Sequence, residues 1–390
     1  MMLAEHYARF RVSDRTLLTG HSHQAWPDVA FEAQQQAWLD AAQQVDDKWA
    51  LAEAQAQLVR EGFASLLGDR PANIALGQST HELVTRWLSA LPLRHRPRIV
   101  STDGEFHSLR RQLDRLAEEG LTIVKLPARP VDTLAARLAA ASDDRTACVM
   151  VSSVLFDTAE IVPDLGRVAT ACAAAGARLL VDAYHHLNVV PFDIGSLGLA
   201  DAFVTGGGYK YCQLGEGNAF LRVPPDTRLR PVLTGWFAEF SELEQAGQGG
   251  GRAGAVRYGA GAAAFAGATY DPTSNYRAAA VFGFHRAQGL TPARLRAMSR
   301  HQVGLLESRF QRLDVDPRRA RVEPMPDERR GGFLAIRTDR AQTLTRGLKQ
   351  RGIWTDARGD ILRLGPAPYM TDTQIEDAVA ALGEMLELPG

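Results

Sequence analysis

Val181–Tyr211 reads VDAYHHLNVVPFDIGSLGLADAFVTGGGYKY and holds one acid and one lysine, each at the end of an apolar run. The run ARLLVD, Ala177–Asp182, predicts a buried strand that ends at Asp182. The run DAFVTGGGYK, Asp201–Lys210, predicts a second strand that leads to Lys210. The stretch therefore delivers a carboxylate and an amine from two neighbouring strands.

This pair of side chains points to a particular cofactor. A lysine amine forms a Schiff base with an aldehyde, and a carboxylate keeps a pyridine nitrogen protonated, which are the two needs of pyridoxal 5'-phosphate (PLP). The chain has four lysines, Lys48, Lys125, Lys210 and Lys349, so arginine supplies the other 40 of its 44 basic residues. A lysine among glycines and tyrosines in such a chain indicates a need for its amine. The other three lysines are expected at the surface.

Composition excludes several classes of protein. A chain of 390 residues that is 45% hydrophobic can bury a large core, and its length suggests two lobes. The net charge of −1 with interspersed charges offers no basic field for nucleic acid or an anionic membrane. The three cysteines form no CxxC, and neither a leader nor an apolar run of about 18 residues is present. These features predict a soluble, cytoplasmic protein without a membrane partner.

From Arg98 onward, strand-like runs alternate with helix-like runs. The strand-like runs are RIVSTD, LTIVKLP, TACVMVSSVLF, RLLVD and AFVTGG. This alternation predicts an α/β fold with a mostly parallel, right-handed sheet covered by helices on both faces. Functional groups in such sheets collect at the carboxyl ends of the strands. Ser79, Phe106, Asp182 and Lys210 each follow a predicted strand.

Two long helical patterns flank this region. One runs from Asp28 to about Leu67 with a break near Val45–Lys48, and the other runs from about Asn275 to Leu313 with an interruption near Gly289–Pro292. The end of the chain then repeats a strand and a helix, which predicts a smaller α+β lobe.

These patterns divide the chain into three predicted units. They are an N-terminal segment over 1–50, a large domain over 51–270 and a small C-terminal domain over 271–390. The Gly/Ala-rich segment Gly247–Gly267 is either a flexible loop over the site or a plain connector between the lobes.

A phosphate site is predicted where a helix begins. The run IALGQSTHELVTRWLSAL, Ile74–Leu91, predicts a strand, a turn and a helix, with Ser79 and Thr80 at the N-cap and in the first turn. Free backbone N–H groups and two hydroxyls at this point suit an anion. Simple capping of the helix is the alternative interpretation.

Four further side chains are candidates for the site. Phe106 could lay its ring over a planar cofactor, unless it belongs to the core. His185 could hydrogen-bond the cofactor or orient the acid. The Tyr209 hydroxyl could reach the phosphate or donate a proton, or it could simply pack. Arg363, in ILRLGPAPY, offers a bidentate fork for a carboxylate at a strand end, unless it is a solvated surface arginine.

Other binding chemistries have weaker support. His21, His23, His185 and His186 could gather a zinc ion, but their spacing matches no metal signature. GGGYK lacks the GxGxxG pattern, and GxxxxGK[ST] is absent. We therefore expect neither a metal nor a nucleotide.

Together these motifs resemble fold-type I PLP-dependent enzymes of the class V aminotransferase group, and within that group kynureninase. The matching pieces are TGHSHQAWP, ALGQSTHELV, GEFHS, LLVDAYHHLNVVPFDI, AFVTGGGYKY, LTGWFAEF and ILRLGPAPY. The resemblance implies that Lys210 binds the cofactor and moves a proton from Cα, that Asp182 pairs with the pyridinium, and that Phe106 stacks on the ring. It also implies that His185 supports the ring side and that Arg363 holds the carboxylate of an amino acid.

The resemblance extends to the phosphate and to a second subunit. It implies that Ser79 and Thr80 hold the phosphate, with help from Tyr209 and the indole N–H of Trp236. Because this group builds its site from two subunits, a homodimer is expected.

The resemblance also implies a reaction. Kynureninase-like enzymes hydrolyse the Cβ–Cγ bond of an aryl-ketone amino acid to give alanine and an aromatic acid. This chain departs from kynureninase in two places: Leu109 replaces an acid, and ATYDPTSNYR replaces a Pro-Pro segment, where Thr269, Thr273 and Asn275 align loosely. A class V aminotransferase or an eliminating lyase therefore stays open, as does a non-catalytic binding protein. A desulfurase is disfavoured because its mobile cysteine has no counterpart, Cys212 being too near the lysine.

Overall fold

The computed structural model describes residues 3–240 and 256–387. The described strands, in chain order, are β1 (Thr16–Leu17), β2 (Ile74–Gly77), β3 (Arg98–Thr102), β4 (Thr122–Leu126), β5 (Thr146–Ser152), β6 (Arg178–Asp182), β7 (Phe203–Gly207), β8 (Ala219–Arg222), β9 (Arg321–Val322), β10 (Leu334–Arg337), β11 (Ile353–Trp354), β12 (Asp356–Arg358) and β13 (Ile361–Leu364).

The described α-helices are α1 (Val29–Gln44), α2 (Lys48–Leu67), α3 (Thr80–Ser89), α4 (His107–Glu118), α5 (Leu134–Ala140), α6 (Leu165–Ala175), α7 (Thr273–Ala287), α8 (Pro292–Gln311), α9 (Ala341–Gln350) and α10 (Asp372–Glu387). The predicted breaks are confirmed: Val45 leaves helical geometry with a φ of 50°, and Thr291 caps α8 ahead of Pro292. No helix within 3–240 and 256–387 is both long enough and apolar enough to cross a bilayer.

A seven-stranded sheet in the order β2-β8-β7-β6-β5-β3-β4 forms the centre of the molecule. Strands β3 to β7 pair in parallel, whereas β8 runs antiparallel to both β7 and β2. The prediction of a mostly parallel α/β sheet is therefore confirmed.

Helices cover both faces of this sheet, which explains why its strands are apolar on both sides. Along β5, Cys148 and Met150 belong to one apolar cluster, and Val149 and Val151 belong to another. Successive side chains of a strand point to opposite faces, so a strand buried on both faces has no polar alternation.

A smaller antiparallel sheet in the order β12-β13-β10-β9 has its own apolar core, to which α8, α9 and α10 contribute. The start of the chain joins this core, since Tyr7 and Leu18 are buried in it and β1 pairs in parallel with β11. The predicted smaller α+β lobe is present, while the boundaries near residues 50 and 270 stay a prediction.

Residues 247–255 of the Gly/Ala-rich segment Gly247–Gly267 lie outside the described residues. Gly261–Phe265 forms a 3-10 turn, and Phe265 is fully buried against the large sheet. This end of the segment is packed into the core.

Candidate active site

A cavity of about 310 Å³ lies at the carboxyl ends of the large sheet's strands. Seven of the nine residues that the sequence proposed for the site line it: Ser79, Thr80, Phe106, Asp182, His185, Tyr209 and Lys210. The expectation that functional groups collect at the carboxyl ends of parallel strands therefore predicted the position of this cavity.

Lys210 is the buried cation of this cavity, with 5% of its surface exposed. Its Nζ lies 2.8 Å from His185 Nε2 and within 4.5–5.6 Å of the ring centroids of Tyr184, Phe106 and Tyr209. Burial lowers the pKa of Lys210 to about 7, and the negative charge of Asp182 only partly opposes that shift. A large fraction of the amine is therefore uncharged near neutral pH, as a nucleophile for an aldehyde must be.

Close packing at β7 sets the position of the aromatic ring beside the lysine. A Cβ atom on Gly207 would lie 2.4 Å from the Tyr184 hydroxyl, so a larger residue there would displace the tyrosine. Glycine at the end of β7 thus lets Tyr184 lie under Lys210. Tyr184 lines the cavity but was not among the sequence candidates. Its place two residues after Asp182 is the signal that could have found it.

Asp182 ends β6 and accepts a hydrogen bond from the backbone N–H of Tyr184 at 2.8 Å. Burial raises the pKa of Asp182, while that N–H and the charge of Lys210 oppose the shift. A positively charged ring nitrogen placed against this carboxylate would stabilise its ionised form.

A second buried acid, Glu105, lies close to the first and was missed by the sequence reasoning. It is 2% exposed and accepts hydrogen bonds from the hydroxyls of Thr102 and Ser152, each at 2.6 Å, and from the Ser152 backbone N–H at 3.2 Å. Burial raises the pKa of Glu105 to about 7, although the hydrogen bonds lower it. The nearby charge of Asp182 also raises this pKa. A lone acid in a short turn carries no sequence signal of burial.

Ser79 does cap helix α3, as the alternative interpretation held. Its Oγ accepts the backbone N–H of Glu82 at 3.2 Å, and the Glu82 carboxylate accepts the backbone N–H of Gln78, the residue before the cap, at 3.0 Å. The Ser79 hydroxyl hydrogen stays available to an anion. The Thr80 side chain lines the cavity beside it.

Two predicted residues do not line the cavity of this chain, and their roles stay predictions. Arg363 is the penultimate residue of β13, close to the strand end where it was expected, but only 2% of its surface is exposed and its guanidinium is paired with Asp356, so it is not a solvated surface arginine. Trp236 lies in a 3-10 turn after β8, is 49% exposed, and donates its indole N–H to the Thr269 hydroxyl at 3.3 Å. Within the described part of one chain, the indole therefore does not reach the predicted phosphate position.

The alternative zinc cluster is not formed. His21 contacts Asp356 at 2.9 Å, His23 contacts Glu216 at 3.3 Å, and His186 contacts the carbonyl of Pro191 at 3.2 Å. Among residues 3–240 and 256–387, no three His, Cys, Asp or Glu side chains come together in a metal-binding group.

The groups that line the cavity fit PLP. Lys210 offers an amine, Asp182 an acid, Phe106 a ring face and the α3 N-terminus an anion site. Two buried atoms of cavity-lining residues, His185 Nδ1 and Asn218 Oδ1, have no hydrogen-bond partner within the described residues. Orphaned polar atoms of this kind are expected where a polar ligand belongs.

Comparisons with known proteins agree with this geometry. A family model described as the kynureninase C-terminal domain matches residues 295–382. The uncharacterized aminotransferase YcbU of Bacillus subtilis is 23% identical over 370 residues, covering 93% of this chain and 92% of its own. Isopenicillin N epimerase of Streptomyces clavuligerus is 27% identical over 345 residues, covering 83% of this chain and 82% of its own.

Solved structures extend the likeness over nearly the whole chain. A mutant of C-DES with glycine covalently linked to its PLP cofactor has a TM-score of 0.84 at 18% identity, covering 97% of this chain and 98% of that one. The cysteine desulfurase CsdA of Escherichia coli has a TM-score of 0.77 at 20% identity, with coverage of 97% and 98%.

The fold is therefore that of PLP-dependent enzymes of fold type I, as predicted. The matched domain and the relatives likewise confirm the predicted resemblance to the class V aminotransferase group and to kynureninase, and with it the prediction of a PLP-dependent enzyme.

Proposed function

We propose that the protein uses Lys210 to hold PLP, acts on an α-amino acid, and hydrolyses the Cβ–Cγ bond of an aryl-ketone amino acid as kynureninase does. The observation that carries the proposal is the buried Lys210 amine, whose pKa is about 7, in one cavity with Asp182. PLP supplies an electron sink for the charge that develops at Cα.

Lys210 and His185 would handle protons in this site. Burial first, and then the charge of Lys210, lower the pKa of His185 well below its ordinary value, so the imidazole is neutral. A neutral Nε2 can accept a hydrogen bond from Lys210 without repelling it. Lys210 is thus held where its uncharged amine can take a proton from Cα of the substrate and return it.

Asp182 and the surrounding rings would orient the cofactor. The Asp182 carboxylate would pair with a protonated ring nitrogen, and the Phe106 ring would offer a face for stacking. Phe106 is itself held edge-on by Phe156, with ring centroids 5.4 Å apart. These contacts would hold Phe106 in place to orient a flat ring that binds against it.

Apolar side chains among the residues that line the cavity support an aryl substrate. Val84, Phe106 and Leu109 line it, and Leu109 stands where kynureninase has an acid. An apolar wall excludes water and suits a flat ring. Tyr209, which also lines the cavity, is the candidate to donate a proton as water adds to the γ-carbonyl and the Cβ–Cγ bond breaks.

An eliminating lyase or an aminotransferase is the second candidate. The likeness in fold to C-DES, described as a cystine C–S lyase, favours the lyase. All three cysteines are buried, and burial raises the pKa of Cys148, Cys172 and Cys212, so none offers the accessible thiol of a desulfurase.

Incubation of the PLP-loaded protein with three substrates separates these reactions. We expect kynurenine to release anthranilate and alanine. Keto acid formation from simple amino acids would instead support the aminotransferase, and pyruvate from cystine would support the lyase. If the wild-type protein released anthranilate no faster than the Lys210→Ala variant does, the proposed hydrolysis would be overturned.

We further propose that the protein is a homodimer. Apolar side chains are exposed on one segment after β8: Val232 is 78% exposed, Leu233 52%, Trp236 49% and Phe240 41%. Such a patch is costly in water and is typical of a subunit interface. Sedimentation at micromolar concentration should give twice the 42.5 kDa chain mass, and a monomer would contradict the proposal.

A further inference from the structure

Arg363 is held from one side by an acid directly across a pair of strands. Asp356 of β12 and Arg363 of β13 are register partners in the small antiparallel sheet. Arg363 Nε donates to Asp356 Oδ1 at 2.7 Å, and Nη2 donates to Asp356 Oδ2. This is a bidentate contact along the side of the guanidinium.

The third guanidinium nitrogen is held by the cavity wall. Arg363 Nη1 donates to the carbonyl oxygen of Phe156, whose residue lines the cavity. A guanidinium has five N–H groups, of which Asp356 takes two and Phe156 takes one. One N–H on each terminal nitrogen is left over, so both terminal nitrogens can still donate to a second carboxylate.

Asp356 is in turn fixed by a histidine. His21 Nε2 lies 2.9 Å from Asp356 Oδ1, and burial lowers the pKa of His21 to about 4, so the neutral ring donates through Nε2. Burial opposes the ionisation of Asp356, but the hydrogen bonds from His21 and Arg363 and the charge of Arg363 outweigh it and hold the pKa of Asp356 below its ordinary value. The acid stays charged, and the buried Arg363 is neutralised before any substrate arrives.

We propose that Asp356 is a positioning residue: it holds Arg363 side-on, and His21 holds Asp356, so that the free end of the guanidinium receives the α-carboxylate of the amino acid. The inference rests on the proposed function, since it requires an amino-acid substrate. It assigns Asp356 a role in recognising the carboxylate and none in holding PLP. The competing interpretation is that Asp356 occupies Arg363 as an internal carboxylate that a substrate must displace.

Spectral titration of the PLP-loaded protein with L-alanine and with ethylamine, which lacks the carboxylate, tests this role. In Asp356→Asn the visible cofactor band should persist, the half-saturating alanine concentration should rise at least about tenfold, and that of ethylamine should not change. The effect should vanish in an Arg363→Ala background, because Asp356 acts through Arg363. His21→Ala should weaken alanine binding by a smaller factor.

A matched control comes from the same sheet. Asp360 pairs with Arg337 at the surface with 53% of its side chain exposed, so Asp360→Asn should leave both titrations unchanged. Tighter alanine binding by Asp356→Asn, or equal losses for alanine and ethylamine, would overturn the positioning role alone. A wild-type protein that shows no cofactor band would overturn the proposed function as well. Thermal unfolding of each variant separates these results from a failure to fold.

Discussion

Lys125 lies in the large sheet and Lys210 follows one of its strands, and the two lysines differ in burial and in the groups they contact. Lys125 lies near the end of the edge strand β4, with 29% of its side chain exposed and its Nζ paired with Asp114. Lys210 follows the interior strand β7, is 5% exposed, and contacts a histidine. The interior position shields the Lys210 amine from water, whereas the edge position leaves the Lys125 amine solvated and paired with an acid.

The acids beside these lysines respond in opposite directions. The hydrogen bond from Lys125 is the largest cause that lowers the pKa of Asp114, whereas burial raises the pKa of Asp182. The surface pair is therefore stable as an ion pair, whereas the buried pair lacks the solvent that would stabilise its charges. A charged, planar cofactor would supply that stabilisation.

Replacing each lysine in turn gives the largest expected contrast. Lys210→Ala should lose the visible cofactor band and lower product formation on the order of 1,000-fold, because it removes both the point of attachment and the proton carrier. Lys125→Ala should retain both. Absorbance spectra and product assays on the two variants, loaded with PLP side by side, measure the difference. Equal behaviour of the two would contradict the account.

Replacing the two acids gives the next largest contrast. Asp182→Asn keeps the size of the side chain but removes the charge behind the ring nitrogen, so turnover should fall roughly 100-fold while the cofactor band persists. Asp114→Asn should change turnover by less than about twofold. Steady-state assays at saturating substrate test both, and normal turnover by Asp182→Asn would refute the role given to this acid.

The pH dependence of cofactor capture sharpens the comparison. Only the neutral amine attacks the aldehyde, so the rate at which apo-protein takes up PLP should rise about tenfold per pH unit below pH 7 and level off above it. Stopped-flow absorbance between pH 5.5 and 9.5 follows this rate. A rate that still climbs steeply above pH 9 would show that Lys210 behaves as a solvated lysine does.

Glu105 supplies the smallest expected effect, on stability. Its folded pKa of about 7 lies above the unfolded value of 4.5, so the folded state binds the extra proton and stability falls as the pH rises from 4.5 through 7. Glu105→Gln should flatten this dependence, whose size is on the order of 3 kcal/mol. Urea unfolding of apo-protein at pH 5 and pH 8 measures it, and an unchanged pH dependence in the variant would contradict a protonated Glu105.

Much of the central site could be predicted from the sequence because its residues obey local rules. Apolar runs marked the strands, and a carboxylate and an amine followed two of them, so Asp182 and Lys210 had to meet at one edge of the sheet. Phe106 and Ser79 followed by the same rule. None of these placements required knowledge of distant contacts.

The residues that were missed or misplaced depend on pairing over long distances. Arg363 lies one residue before the end of β13, as its sequence pattern predicted, but only the hairpin register sets Asp356 opposite it. Glu105 is buried by Ser152, which is 47 residues away. Trp236 was predicted at the site, but in the segment after β8 it lies at the surface of the described chain. Such placements come from tertiary packing, which a local pattern does not encode.

Chemical trapping of the cofactor tests the central claim most directly. Borohydride reduces the bond between PLP and an amine to one that survives digestion, and peptide mass spectrometry then identifies the lysine that carries it. With four lysines in the chain, the experiment has few alternatives. We expect a phosphopyridoxyl group on Lys210 and none on Lys48, Lys125 or Lys349. A label on one of the other three, or no label after loading with PLP, would contradict this expectation.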